Sequence, residues 1–297
     1  MKRGFALALL LVVACAVRCE TCRDSPRAPV RVATFNIENF PQSRAQIEGA
    51  FAELRDIHAG IIAVQEIGDP DLFAREARQR LGDEWRFVSV DSRPIGERRP
   101  GHHLGVLFDS STWKLLATRA HDDTRLAGGR HKPVLDVRLQ RGSLKLHVLV
   151  VHLKSNTEGR PIRAAQYAAL RDVIREVQRA KERIVLMGDF NATEAGDRDD
   201  LALLARDTHM TWASEPLACS AFWAREDGCP RSRLDHVLTW LPTSRSSLSS
   251  ASSPSSSSPT SPSSSLSLAS PTIEVAGACA REGCEWQQSC PVYARQV

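Results

Sequence analysis

The sequence predicts an α+β fold, with mixed or antiparallel β-sheets and helices on their outer faces. Three observations predict it. From Arg31 onward, short segments rich in apolar and β-branched residues alternate with segments whose apolar residues recur at helical spacing. The strand-like segments outnumber the helix-like ones. Several successive strand-like segments also stand too close together to hold a crossover helix, which argues against a doubly wound parallel sheet.

In chain order the expected strands are RVATFNI (31–37), IIAVQEI (61–67), WRFVSV (85–90), HLGVLFD (103–109), PVLDVRLQ (133–140), LKLHVLVVHLK (144–154), RIVLMGDF (183–190) and LDHVLTW (234–240). The expected helices run from Ser43 to Asp56, from Asp71 to Leu81 and from Ile162 to Ala180. In the third, Ala165, Ala169, Val173 and Val177 recur every four residues and form one apolar stripe. Residues 244–270 are nearly all serine with some proline. Such a stretch buries too little apolar surface to offset its ordering entropy, so it is expected as a disordered surface insertion before TIEVAGACA.

The 297 residues are enough for one large domain or two small ones. The net charge of +4 is mild; it permits a polyanionic partner without requiring one. Lys2 and Arg3 followed by an apolar run from Phe5 to Ala14 have the layout of an export signal, expected over 1–18, with the domain proper from residue 30. The run is too short to span a bilayer as a helix. Val12–Cys15 resembles a bacterial lipobox, which makes Cys15 the expected lipidation site and membrane anchor; the alternative is ordinary cleavage and a free, secreted monomer. Cys219, Cys229, Cys279, Cys284 and Cys290 fall in the C-terminal third, where an oxidising compartment favours one or two disulfides over zinc.

The chemistry sits at strand ends. Asn36 and Glu38, Gln65 and Glu66, His152 and Lys154, Asp189 and Asn191, and Asp235 and His236 each close a strand-like segment. Residues two apart on a strand share a face, so Asn36 with Glu38, His152 with Lys154, and Asp189 with Asn191 are expected to project together. Each group alone has a bland reading, a turn residue or a satisfied core histidine. It is their combination, in this order, that carries information.

In that combination the chain resembles the endonuclease/exonuclease/phosphatase superfamily, the deoxyribonuclease I-like phosphoesterases, from Arg31 to about Trp240. The resemblance implies a four-layer α/β/β/α sandwich, two face-to-face mixed sheets flanked by helices. It implies Mg²⁺ (or Mn²⁺) as cofactor and a nucleic acid or other phosphodiester as substrate. Glu66 becomes the principal metal ligand, with Glu38 as an added carboxylate. Asn36 positions a neighbouring ligand or the phosphate, and Lys154 adds positive charge. Asp189 orients the attacking water, Asn191 donates to a phosphoryl oxygen, His152 contacts the phosphate or leaving group, and Asp235 orients the last histidine of the family. That histidine belongs to a terminal Ser-Asp-His-x-Pro-Val strand, and no such motif is present. Either Cys290–Val292 align with x-Pro-Val, so that Gln288 and Ser289 replace the Asp-His pair, or the motif was lost by truncation. A basic set, Arg93, Arg98, Arg99, His102, His103, Arg125, Arg130, His131 and Lys132, is expected to line a substrate groove. The competing readings are an inactive surface module that binds phosphate ligands, and a sphingomyelinase-like or phosphomonoester hydrolase.

Overall fold

Two six-stranded sheets make up the computed structural model, which describes residues 29–97, 101–192, 194–216, 221–222, 231–242, 273–277 and 292–296. In chain order the elements are β1 (Arg31–Phe40), α1 (Arg44–Asp56), β2 (Ile61–Ile67), α2 (Pro70–Leu81), β3 (Trp85–Asp91), β4 (His103–Asp109), β5 (Lys114–His121), β6 (Val134–Arg141), β7 (Leu144–His152), α3 (Arg160–Gln178), β8 (Arg183–Asp189), α4 (Ala195–Asp207), β9 (Thr211–Trp212), β10 (Ala221–Phe222), β11 (Arg231–Ser232), β12 (Asp235–Trp240), β13 (Ile273–Gly277) and β14 (Val292–Gln296). The export segment with Cys15, Arg98 and Arg99, the five C-terminal cysteines, the serine-rich stretch and Gln288–Ser289 lie outside the described residues.

One sheet has the order β13-β14-β1-β2-β4-β3 and the other β5-β6-β7-β8-β12-β9; β10 and β11 form a separate hairpin. Each six-stranded sheet contains one parallel pair, β1 with β2 and β7 with β8, and is otherwise antiparallel. A parallel pair needs a crossover, and α1 and α3 supply the two crossovers. Val106, Val137, Val148 and Met187 pack between the sheets. Phe51, Phe73 and Ala77 cover the outer face of the first sheet from α1 and α2; Leu170, Ile174, Leu201 and Leu204 cover the second from α3 and α4. The result is the four-layer α/β/β/α sandwich.

Local chemistry sets the helix starts. The Ser43 hydroxyl accepts the Gln46 N–H at 3.1 Å, and Asp69 accepts the Leu72 N–H at 2.8 Å just ahead of Pro70 at the first helical position. Pro161 likewise starts α3 at Arg160, before the expected Ile162. Apart from the short strands β9, β10, β11, β13 and β14, two longer elements went unread in the sequence. In α4 the packed apolar residues, Leu201, Leu204 and Ala205, crowd into its second half, so its period is short. β5 is a mostly exposed edge strand whose alternation carries little apolar signal.

Arg163 and Asp197 form a fully buried ion pair between α3 and α4, with Nε–Oδ1 2.8 Å and Nη2–Oδ2 2.7 Å. The same guanidinium donates through Nη1 to the carbonyls of Lys154 (2.9 Å) and Asn156 (2.6 Å). Asp197 also accepts the Glu194 N–H at 3.2 Å, closing a capping box at the start of α4. One pair therefore pins the loops that leave both β7 and β8. Removing one partner strands a charge in the core, so Arg163→Met should lower unfolding stability by about 3–5 kcal/mol, and Arg163→Met with Asp197→Leu should recover part of it. Urea denaturation of the three proteins checks this; a single variant as stable as wild type would contradict it.

Candidate active site

Both parallel pairs end at the same place. Asn36 and Gln65 are paired near the carboxyl ends of β1 and β2, and His152 and Asp189 are paired at the carboxyl ends of β7 and β8. The sheets face each other, so the two strand ends close on one cluster.

Backbone irregularity aims the side chains. The β1–β2 register shifts between Asn36 and Phe40, and the β2–β4 register shifts between Val64 and Ile67. Within the second shift Glu66 adopts φ 63°. In a regular strand neighbouring residues face opposite sides. Here Gln65 is fully buried against the Thr34 hydroxyl (3.1 Å), while Glu66 turns into the cluster. Glu38 (φ 46°), Asn39 (φ 53°) and Asn191 (φ 48°) are also left-handed. Side chains larger than glycine seldom adopt this conformation, and such strain gathers where a site imposes it. Gly188 has the opposite role. At φ 143° a Cβ there would lie 2.1 Å from the Val151 carbonyl oxygen, so β8 could not approach β7 with any other residue before Asp189.

Asn36 is the central bridge. Its Nδ2 donates to Glu66 Oε1 at 3.1 Å and to Asp189 Oδ2 at 3.0 Å, and its Oδ1 accepts the Glu38 N–H at 3.0 Å. The Asn39 N–H holds Glu66 Oε2 at 3.1 Å, and the Asn191 N–H holds Asp189 Oδ1 at 2.8 Å. His152 Nε2 lies 3.7 Å from Glu66 Oε1 and 3.6 Å from Asp189 Oδ2. On the other side of the ring, Lys132 Nζ donates to His152 Nδ1 at 2.7 Å. That bond places the imidazole proton on Nε2, facing the two carboxylates.

The electrostatics follow from burial. Desolvation raises the Asp189 carboxyl to about 6, against the hydrogen bonds from Asn36 and Asn191 and the charge of Lys132. Burial lowers the Lys132 ammonium to about 8. His152 is held well below the usual imidazole range by burial and then by Lys132 and His102. Partial burial and the charge of Glu66 raise the Glu38 carboxyl.

The sequence-predicted residues fare differently. Asn36, Glu66, His152 and Asp189 meet directly. Glu38 is exposed at the edge of the cluster; the β1 bulge turns it away from Asn36, so the two do not project together as a regular strand would have them. Asn191 is buried, and its Nδ2 donates to the Leu153 carbonyl at 3.0 Å. Lys154 sits at the start of the following loop, half-buried. Asp235 is buried and lies directly across from Asp189 in the β12–β8 pairing. His236 points the other way, fully buried with its ring against Phe190 and Trp212; burial holds it down to about 3.

Two residues expected only in the flanking basic groove stand in the cluster itself: His102, with Nδ1 3.8 Å from Glu66 Oε2, and Lys132, against His152. Their only sequence signal is a basic residue at the base of a loop that adjoins a strand. Arg125, assigned to the same groove, is buried and bridges two loops instead. It donates to the carbonyls of Arg93 (2.5 Å), Asp91 (3.1 Å) and His131 (3.3 Å), and pairs with Asp122 at 2.6 Å.

The donor set suits a hard cation. Glu66 and Asp189 offer carboxylate oxygens, and no group of three or more His, Cys, Asp and Glu is gathered into a metal cage among the described residues. A small divalent ion that keeps most of its waters needs only one or two carboxylates, which Glu66 and its neighbours supply.

A buried and a half-buried carboxylate face a neutral imidazole and a lysine at the mouth of a two-sheet sandwich, an arrangement suited to phosphoester chemistry. Residues 33–263 match the model of the Endonuclease/Exonuclease/phosphatase family, and the chain belongs to that family, whose members are hydrolases acting on phosphoesters. No curated protein matches the sequence. Among solved structures, truncated Caenorhabditis elegans TDP2 is 14% identical with a TM-score of 0.63, covering 90% of this chain and 97% of that one. The human Nocturnin catalytic domain is 15% identical with a TM-score of 0.65 (91% and 94% covered). A Bacteroides thetaiotaomicron mannosyl-6-phosphatase is 13% identical with a TM-score of 0.61 (90% and 99% covered). At such identities the likeness is one of fold.

The raised Asp189 carboxyl has a cost in stability. In the presence of a chelator, its contribution should be full below its unfolded pKa near ~3.9 and lost as pH rises through about 6. Asp189→Asn should flatten that slope and add on the order of 2–3 kcal/mol at pH 7. Urea midpoints from pH 4 to 7 measure it; the same slope in both proteins would contradict the assignment.

Proposed function

We propose that the protein is an exported, Mg²⁺- or Mn²⁺-dependent phosphodiesterase, in the first instance a nuclease, working below the rate of a member with the full terminal motif. The observation that carries the reading is the Asn36 bridge between Glu66 and Asp189, with His152 Nε2 beside both. Glu66 would hold the metal, with Glu38 as its outer carboxylate, and the ion when bound would supply Lewis-acid charge to the reacting phosphoryl group. Asn36 keeps the two carboxylates in register. Asp189, with a carboxyl near 6, orients a water and accepts its proton. His152 donates from Nε2 to a phosphoryl oxygen, and Lys132 fixes that tautomer while adding positive charge. Asn191 and Lys154 flank the phosphate, and Asp235 stands across from Asp189.

The tail bears on the rate. β14 begins at Val292, which pairs with Thr34, two residues before Asn36. This supports aligning Cys290–Val292 with x-Pro-Val, which leaves Gln288 and Ser289 where the family has Asp and His. The same substitution favours the second reading, a surface module that binds phosphate ligands without turnover. A bank of cleavage assays separates the two, using plasmid DNA, a generic phosphodiester and a phosphomonoester with Mn²⁺ present. Slow diester cleavage should fall about 10²–10⁴-fold in Asp189→Asn. Gln288→Asp with Ser289→His should raise it by a similar factor. Calorimetric Mn²⁺ affinity should drop at least about tenfold in Glu66→Gln. Equal Mn²⁺ affinity in both proteins would remove the metal site, and cleavage indifferent to Asp189→Asn would leave the binding module.

Export and lipidation at Cys15 belong to the same reading, placing the enzyme as a monomer in the periplasm or at the cell surface. With Cys15→Ser the protein should shift from the membrane fraction to the soluble fraction of an expressing bacterium. Identical fractionation of the two proteins would rule against the anchor.

A further inference from the structure

The second sheet has a cleft at its other end. It measures about 430 Å³ and is lined by Lys145, Lys181, Glu182, Arg183 and Pro242 among others. Lys145 lies at the start of β7 and Arg183 begins β8, whose far end is Asp189. At ~3.3 Å per strand residue the cleft is about 20 Å from the catalytic cluster. We propose that this cleft is a second, separate binding site, for a small free phosphate-class anion of the size of pyrophosphate.

The argument is one of charge and geometry. Three cations, Lys145, Lys181 and Arg183, line the cleft, against one carboxylate. That carboxylate is held mainly by groups outside the cleft, with Lys145 its only partner within it. Arg138 grips Glu182 in a two-point pair, with Nε–Oε2 at 2.7 Å, and His147 Nε2 approaches Oε2 at 3.3 Å; Lys145 Nζ stands 3.8 Å from Oε1. Among the described residues no carboxylate lies within salt-bridge distance of Lys181 or Arg183. A fourth cation stands behind them. Arg141 is buried over the Trp113 ring at 5.0 Å, and burial together with the charge of Arg183 lowers its guanidinium pKa. Burial lowers that of Arg183 as well. Lys145 and Lys181 are exposed and Arg183 half-buried, so water screens part of their repulsion, yet gathering three like charges around one cleft still favours an anion that completes it. A guanidinium offers a planar pair of donors that matches a phosphoryl edge, and lysines add charge without fixed geometry. The volume falls within the range of small-ligand clefts.

The test is calorimetric titration of pyrophosphate into the full chain, with chelator present and ionic strength matched. Lys132→Ala serves as the background, because it removes the anion contact at the catalytic end. In that background Arg183→Gln should weaken binding at least about tenfold and Lys181→Asn several-fold. Lys181 sits at φ 54°, a conformation asparagine accepts readily, so this variant removes charge without disturbing the turn should Arg183→Gln fail to fold. Loss of all pyrophosphate binding with Lys132→Ala alone, or binding indifferent to both cleft substitutions, would overturn the proposal. Arg183-dependent flotation on phosphatidic acid vesicles without pyrophosphate binding would overturn its free-anion form and assign the cleft to a lipid headgroup.

Discussion

The parallel strand pair is the constraint from which this structure follows. Two parallel neighbours cannot be joined by a tight turn, so each pair demands a helix over the sheet, and α1 and α3 meet that demand. The helices cover the outer faces and leave the inner faces to each other, which produces the four layers. Parallel pairing also places two carboxyl-terminal strand ends side by side, and the backbone beyond them must leave the ladder. The polar residues at those exits are therefore held by rigid strands yet freed from strand alternation. Doing this once in each sheet and facing the sheets together brings Asn36 and Glu66 against His152 and Asp189.

The cluster that results is electrostatically uneasy. Asp189 is almost fully buried beside a second carboxylate, and its proton affinity rises accordingly. His152 is buried with it and Lys132 half-buried beside it, and both lose theirs. Each group is displaced toward neutrality, so all are sensitive to a charge placed among them. Four left-handed residues surround the same point. The Arg163–Asp197 pair, by pinning the exits from β7 and β8, resists the relaxation that these strains would otherwise drive.

Much of this was legible in the sequence because strand ends advertise themselves. IVLMGD climbs through apolar residues to a glycine that the β7 backbone requires, and the aspartate that follows has nowhere to go but the site. The pairs QE and VVH read the same way. The reading failed where the cause was not local. Lys132 and Arg125 stand in one basic stretch, yet one turns into the cluster and the other clamps a loop, and nothing in their neighbours distinguishes them. Glu38 was given Asn36's face because a bulge leaves no mark on a period of two. α4 was overlooked because its capping box uses Glu194 and Asp197, with the packed residues arriving only in its second half.

Arg125 ties the carbonyls of Asp91 and Arg93, in the exit from β3, to that of His131, next to Lys132. The two loops are further joined where the Ile95 N–H meets the Gly129 carbonyl at 2.9 Å. They form a single stiff lip, with Ile95 exposed at its crest. Lys132 follows His131 directly, so the clamp that stiffens the lip also fixes where that ammonium meets the His152 imidazole.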